Sequence, residues 1–206
     1  MEKVGAAYDK AGFDDDRAQR LNESPLFIKE LGLLMAKHTQ SDSRFRFVTA
    51  FDIVVPEDYD HATRLDMFRD RHSREFDNYN PAITDANYAA KATIKLAPGR
   101  RLKCRVFWIN EAVSSDDCLG FLRNQKAILT GAQGASLAYE QGKDRLPKSR
   151  YYVSFDDKDA LWKDSDSHHM LPSVYPYSYG AFDFLLGLFE TESVNVCGLL
   201  CFCDEE

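Results

Sequence analysis

The stretch KATIKLAPGRRLKCRVFWI, residues 91–109, constrains this chain more than any other. Two alternating runs flank Ala97-Pro98-Gly99-Arg100, a turn sequence, and the pattern predicts a β-hairpin. Alternation with period two sends Ala92, Ile94 and Leu96 to one face and Lys91, Thr93 and Lys95 to the other. In the second run Leu102, Cys104 and Val106 oppose Arg101, Lys103 and Arg105. Such a hairpin gathers five cations among six positions on one outer surface. Like charges across strands repel, so the face suits an anion, an acidic partner or the chain's own acidic segments. It equally suits a solvated sheet face whose lysines discourage edge pairing. Lys95, Arg101, Lys103 and Arg105 are the candidate binding residues.

The rest of the chain mixes strands and helices. RFRFVTAFDIVV, residues 44–55, is β-branched and aromatic and is stopped by Pro56, so a strand is expected over 45–55. Phe45, Phe47, Thr49 and Phe51 should share one face of it. Ser24-Pro25 opens an amphipathic helix over 24–38, and Asp60 caps a second over 60–77 with Leu65, Phe68, His72 and Phe76 as its apolar stripe. Ser114 to Asp117 starts a third, 114–125, with early acids that favour the helix N-terminus. A helical segment follows Gly131 and ends near Gly142. Strands are expected at 150–155, 170–174, 182–189 and 194–203. Without strict βαβ alternation the fold class is α+β: a mixed, mainly antiparallel sheet with a central hairpin at about 91–109, covered by three or four helices. Residues 1–23 read as a flexible or loosely docked segment and 24–206 as a single domain.

Composition narrows the class. With 44% apolar and 13% aromatic residues the 206-residue chain has material for a packed core, which excludes disordered and fibrous classes. No window approaches the roughly 18 to 20 apolar residues of a membrane span. The start, MEKVGAAYDKAGFDDDRAQR, has no apolar signal core and carries Asp14 to Asp16, so a cytoplasmic protein with no membrane partner is expected. Five cysteines, an odd count, fit the same compartment. A net charge of −7 disfavours nucleic acid as the partner without forbidding a local basic patch.

No motif commits the chain to a reaction. Cys197, Cys201 and Cys203 fall on one strand face with Leu199, at a spacing of about 7 Å that suits a core better than a tetrahedral metal site. His168-His169 follows Asp156, Asp157, Asp159, Asp164 and Asp166, but the loop lacks the EF-hand glycine and glutamate and reads as solvated. His61 and His72 would lie ~16 Å apart on one helix, too far for one metal. Gly131-Ala132-Gln133-Gly134 matches neither a P-loop nor a dinucleotide fingerprint, and Ser136 lacks a nucleophile elbow. No cofactor and no metal are expected.

The stretch 131–174, above all LPKSRYYVSFDDKDALW followed by Pro172-Ser173-Val174, and less clearly FDIVVPEDYDHATRLDMF, resembles small uncharacterised proteins of bacterial phages and mobile elements. The resemblance implies a genomic setting and no mechanism. The function expected is a non-catalytic interaction protein that binds a protein or anionic partner through the basic hairpin face. Tyr151, Tyr175, Tyr177 and Tyr179 are of the type that anchors interfaces. The alternative is an enzyme acting on a nucleotide or nucleic acid, with the basic face holding phosphate and His72 or His169 as general base.

Overall fold

A computed structural model of the chain describes residues 42–192 and 196–205. The segment expected over 1–23 and the helix expected over 24–38 lie outside the described residues. From Arg44 the chain forms one compact unit built on an eight-stranded sheet.

The strand-forming run at 45–55 yields β1 (Phe45–Val54), an edge strand. A bulge between Phe47 and Thr49 breaks its alternation, which corrects the single face expected for its aromatics. Phe45 packs into the core on one side of the sheet and Phe51 into the core on the other, while Phe47 is left 56% exposed. Next to β1 runs β3 (Arg101–Ile109), antiparallel from Phe45↔Ile109 to Val54↔Arg101.

That pairing overturns the hairpin at 91–109. The turn forms as expected, with Gly99 at φ 74 and Arg100 N donating to the Ala97 carbonyl at 3.2 Å. The segment 91–96, however, is not a strand. Val55 takes the turn's hydrogen bonds instead: Gly99 N donates to its carbonyl, and its own N donates to the Arg100 carbonyl, both at 2.9 Å. A ten-residue strand offers β3 a longer ladder than six residues can, and Leu96 still reaches the core from an irregular backbone.

The helix expected over 60–77 is shorter. α1 spans Arg64–Arg71, and Asp60 accepts from Ala62 N and Thr63 Oγ1 ahead of it. Its N-terminal amides at Leu65 and Asp66 donate to the buried Asp85 carboxylate, both at 2.9 Å. After His72 the chain turns, and Phe76 enters the core from β2 (Phe76–Tyr79), against Phe68 and Phe182. Asp85 itself opens α2 (Asp85–Tyr88), whose N-cap Thr84 accepts from Asn87 N.

α3 (Ser115–Asn124) starts where expected, with Ser114 Oγ accepting from Asp117 N. α4 (Gly131–Gly142) follows. It lies close on the sheet because two glycines remove side chains. A Cβ at Gly142 would overlap the Phe51 ring, and one at Gly134 would crowd Thr130 and Phe202. The remaining strands are β4 (Tyr151–Ser154), β5 (Trp162–Lys163), β6 (His169–Pro176), β7 (Phe182–Leu188) and β8 (Cys197–Asp204).

The sheet order is β1-β3-β8-β4-β6-β7-β2, with β5 paired to β6. Among the described strands only β4/β8 and β2/β7 are parallel. The class is therefore α+β with a mixed, mainly antiparallel sheet. Each face carries its own core. One joins Phe51, Leu102, Cys104, Leu200 and Phe202 to α1 and α4; the other joins Phe107, Val153, Leu199 and Cys201 to α3. Among the described residues no helix is long and apolar enough to cross a membrane.

Candidate functional site

The four cations singled out in the sequence part company. Arg101, Lys103 and Arg105 share one face of β3, but Lys95 belongs to the irregular segment before it. There its charge, after burial, helps to hold the His61 imidazole below its usual range. The other three are met by the chain's own groups. Lys103 Nζ lies 2.6 Å from Asp52 Oδ1, and Arg101 Nη1 lies 3.8 Å from Glu205 Oε2. Arg105 Nη2 donates to the Gln125 carbonyl and reaches Cys203 Sγ, each at 2.9 Å. Its Nε is buried without a partner. Lys103 and Arg105 nevertheless line one groove of about 750 Å³ together with Lys126, just after α3, and with Asp204 and Glu205. Lys126, held at φ 55, has no ion pair among the described residues. Sequence reading missed it because its place beside β3 depends on how α3 returns to β8.

The C-terminal cysteines sit as their spacing implies. Cys201 is buried in the α3-side core with Leu199, and Cys197 and Cys203 are half-buried against it. No disulfide joins the five. Burial, reinforced by the neighbouring Cys203, pushes the Cys201 thiol up to about 12. These sulfurs do not gather into a metal-binding set; among the described residues only Asp164, Asp166 and His168 bring three ligand atoms within 4.8 Å of one another. Asp164 Oδ1 there already accepts from the amides of Asp166 and His168, closing the turn between β5 and β6. His169 turns away to Glu190, Nδ1 to Oε1 at 2.7 Å.

Asp156 departs from the solvated acidic loop expected for it. It is buried at the start of α4, beside Gly131, and accepts from Thr93 N and Asp157 N. Burial pushes its carboxyl up to about 6, against the pull of those hydrogen bonds. A carboxylate thus stands beside Gly131, the first residue of the stretch 131–134. The Gly131 amide is also engaged, by the Phe155 carbonyl at 3.0 Å.

His72, the candidate base, lies in a filled network between α1 and α4. Its Nε2 meets Glu140 at 3.1 Å and its Nδ1 meets Glu75 at 2.9 Å. Arg64, only 5% exposed, bonds Ser136 Oγ and Glu140, both at 2.8 Å. Arg71 adds a second cation on Glu140, and Lys143 pairs with Glu75. Buried charges are tolerated only when paired and hydrogen-bonded, and here each carboxylate has its cations. His61, placed on the same helix by sequence, precedes α1 and bonds the Tyr59 hydroxyl at 3.0 Å.

The four tyrosines do come together. Tyr151 of β4 meets Tyr175 of β6 at 4.6 Å between ring centroids, Tyr175 meets Tyr177 at 4.8 Å, and Tyr177 stacks on Tyr179 at 4.9 Å. The strip lies at the opposite end of the sheet from the groove, since β3 and β8 run from Arg101 and Asp204 at one end to Trp108 and Gly198 at the other, where β4 begins. Comparison with protein-family models, curated proteins and solved structures gives no match.

Proposed function

We propose that this chain is a cytoplasmic, non-catalytic binding protein that takes up an anionic partner, an acidic protein segment, in the groove at Lys103, Arg105 and Lys126. The observation that carries this reading is the convergence of cations from β3 and from just after α3 on one groove, with Lys126 unpaired among the described residues. Of the four residues expected from sequence, Lys103 and Arg105 line it, Arg101 stands beside Glu205, which also lines it, and Lys95 is not among its lining residues. Binding by charge and hydrogen bonds needs no cofactor. The resemblance over 131–174 supports a phage or mobile-element setting.

The enzymatic alternative keeps the same cations for phosphate and needs a base beside them. Among the described residues no histidine lines the groove, and His72, His168 and His169 are each held by a carboxylate elsewhere. This favours the binding protein. The test is fluorescence anisotropy with a labelled oligo-glutamate peptide and, separately, a single-stranded oligonucleotide, at low and high salt. Wild type should bind the peptide, and the double variant Lys103→Gln, Lys126→Glu should lose that binding while keeping its circular dichroism spectrum. Screening should weaken an interaction made of exposed charges. Peptide binding indifferent to both the variant and the salt sinks the reading, and binding of the oligonucleotide alone transfers the groove to the alternative.

A further inference from the structure

At the far end of the sheet from the groove, the tyrosine strip has a chemistry of its own. Tyr179 is 67% exposed and Tyr151 is 37% exposed, so rings that would gain by burial are left facing water. Two of the hydroxyls are committed to carboxylates: Tyr177 donates to Asp183 Oδ2 at 2.8 Å, and Tyr179 donates to Asp77. Asp183 is only 8% exposed, and its Oδ1 has no hydrogen-bond partner. Neither Asp77 nor Asp183 pairs with a cation among the described residues, in contrast to Glu75 and Glu140 in the network between α1 and α4. Two cations just before Tyr151 are engaged elsewhere. Lys148 Nζ donates to the Lys143 carbonyl at 2.7 Å, and the Arg150 guanidinium lies over Trp108 at 4.3 Å.

A buried carboxylate without a counter-charge is costly, and a cation brought by a partner relieves that cost. The ring faces add to the attraction, because a guanidinium or ammonium is drawn to the negative face of an aromatic ring. A hydroxyl that donates to a carboxylate makes its ring richer in electrons; the same bonds push the Tyr177 and Tyr179 hydroxyls up to about 12. We propose that Tyr151, Tyr175, Tyr177 and Tyr179, backed by Asp77 and Asp183, bind a cationic peptide segment rich in arginine or lysine. Rings in sequence along β4, β6 and the turn after it suit an extended segment that lays successive cationic side chains along the strip. A net charge of −7 steers such a segment toward the molecule. The inference does not rest on the groove reading, since it uses the opposite end of the sheet and the opposite charge.

The full chain is titrated with a labelled oligo-arginine peptide and with a neutral Gly-Ser peptide of equal length. Tyrosine is uncharged, so the double variant Tyr151→Ala, Tyr179→Ala keeps the net charge and separates the strip from general attraction to an acidic surface. The oligo-arginine peptide should bind wild type, and the double variant should weaken it about tenfold, the scale of one or two cation–π contacts. Tyr179→Phe, which keeps the ring, should retain most of the affinity, and Asp183→Asn should reduce it. Equal affinity for wild type and the double variant, or equal binding of the neutral peptide, overturns the proposal. So does dimerisation that the double variant abolishes while no peptide binds, because that assigns the strip to a second copy of the chain.

Discussion

A carboxyl group taken out of water without a counter-charge holds its proton more tightly, and Asp156 is placed so. Burial raises its folded-state value to about 6, above the ordinary 3.8 that it recovers on unfolding. The folded chain therefore binds more protons than the unfolded one between those values. The resulting stability is fully present below about pH 4 and is lost as the pH rises through about 6. Its full size is about 3 kcal/mol, taking 1.36 kcal/mol for each pH unit of difference. Glu75 and Glu140, whose carboxyls are held below their usual range, contribute in the opposite sense. The difference between wild type and Asp156→Asn isolates the one group. Denaturant unfolding between about pH 4 and about pH 7 should show wild type losing stability relative to Asp156→Asn as the pH rises. A difference that stays flat across that window would mean that Asp156 is already charged in the folded chain.

Elements follow the same logic of supply from a distance. The first amides of α1 are satisfied by Asp85, some twenty residues later, which acts as a tertiary cap. Asp85→Ala leaves two amides without their acceptor and should cost about 1 to 3 kcal/mol in chemical unfolding. Asp85→Asn, which keeps one acceptor oxygen, should recover part of it, and no loss in either variant would show that water caps α1 equally well. Elements whose signals are local were legible: β1, the Ser114 cap of α3, the span of α4, and the strands β4, β6, β7 and β8. The hairpin at 91–109 failed although its turn was right, because strand partners are chosen by long-range competition and β1 outbid 91–96 for β3. The helix over 60–77 failed for a related reason. Phe76 satisfies a helical stripe and an edge strand equally, and only its contacts with Phe68 and Phe182 decide between them. The candidate site was half legible. Lys103 and Arg105 were visible as an alternating face, whereas Lys126 and the carboxylates behind the tyrosines depend on tertiary neighbours.

The molecule from Arg44 onward hangs two cores on one sheet, and this makes its cooperativity a measurable property. Cys104 is buried in the core under α1 and α4, whereas Cys118 and Cys201 are buried in the core under α3. Cys104 of β3 and Cys201 of β8 lie on adjacent strands but face opposite layers. Burial raises both thiols well above their usual range, so a thiol reagent reaches them only after opening. Half-buried Cys203 is accessible from the groove and should react in the native state. If the shared strands couple the layers, Cys104, Cys118 and Cys201 should react at one rate, and that rate should rise with denaturant along the slope of global unfolding. Mass spectrometry of the labelled protein, digested and resolved cysteine by cysteine, reads the three rates separately. Splitting, with Cys118 and Cys201 reacting faster than Cys104 at low denaturant, would show that the α3 layer opens alone. Because β3 and β8 supply side chains to both cores, peeling away α3 exposes one face of strands still held on the other, and the sheet loses its ladder only when both faces are released together.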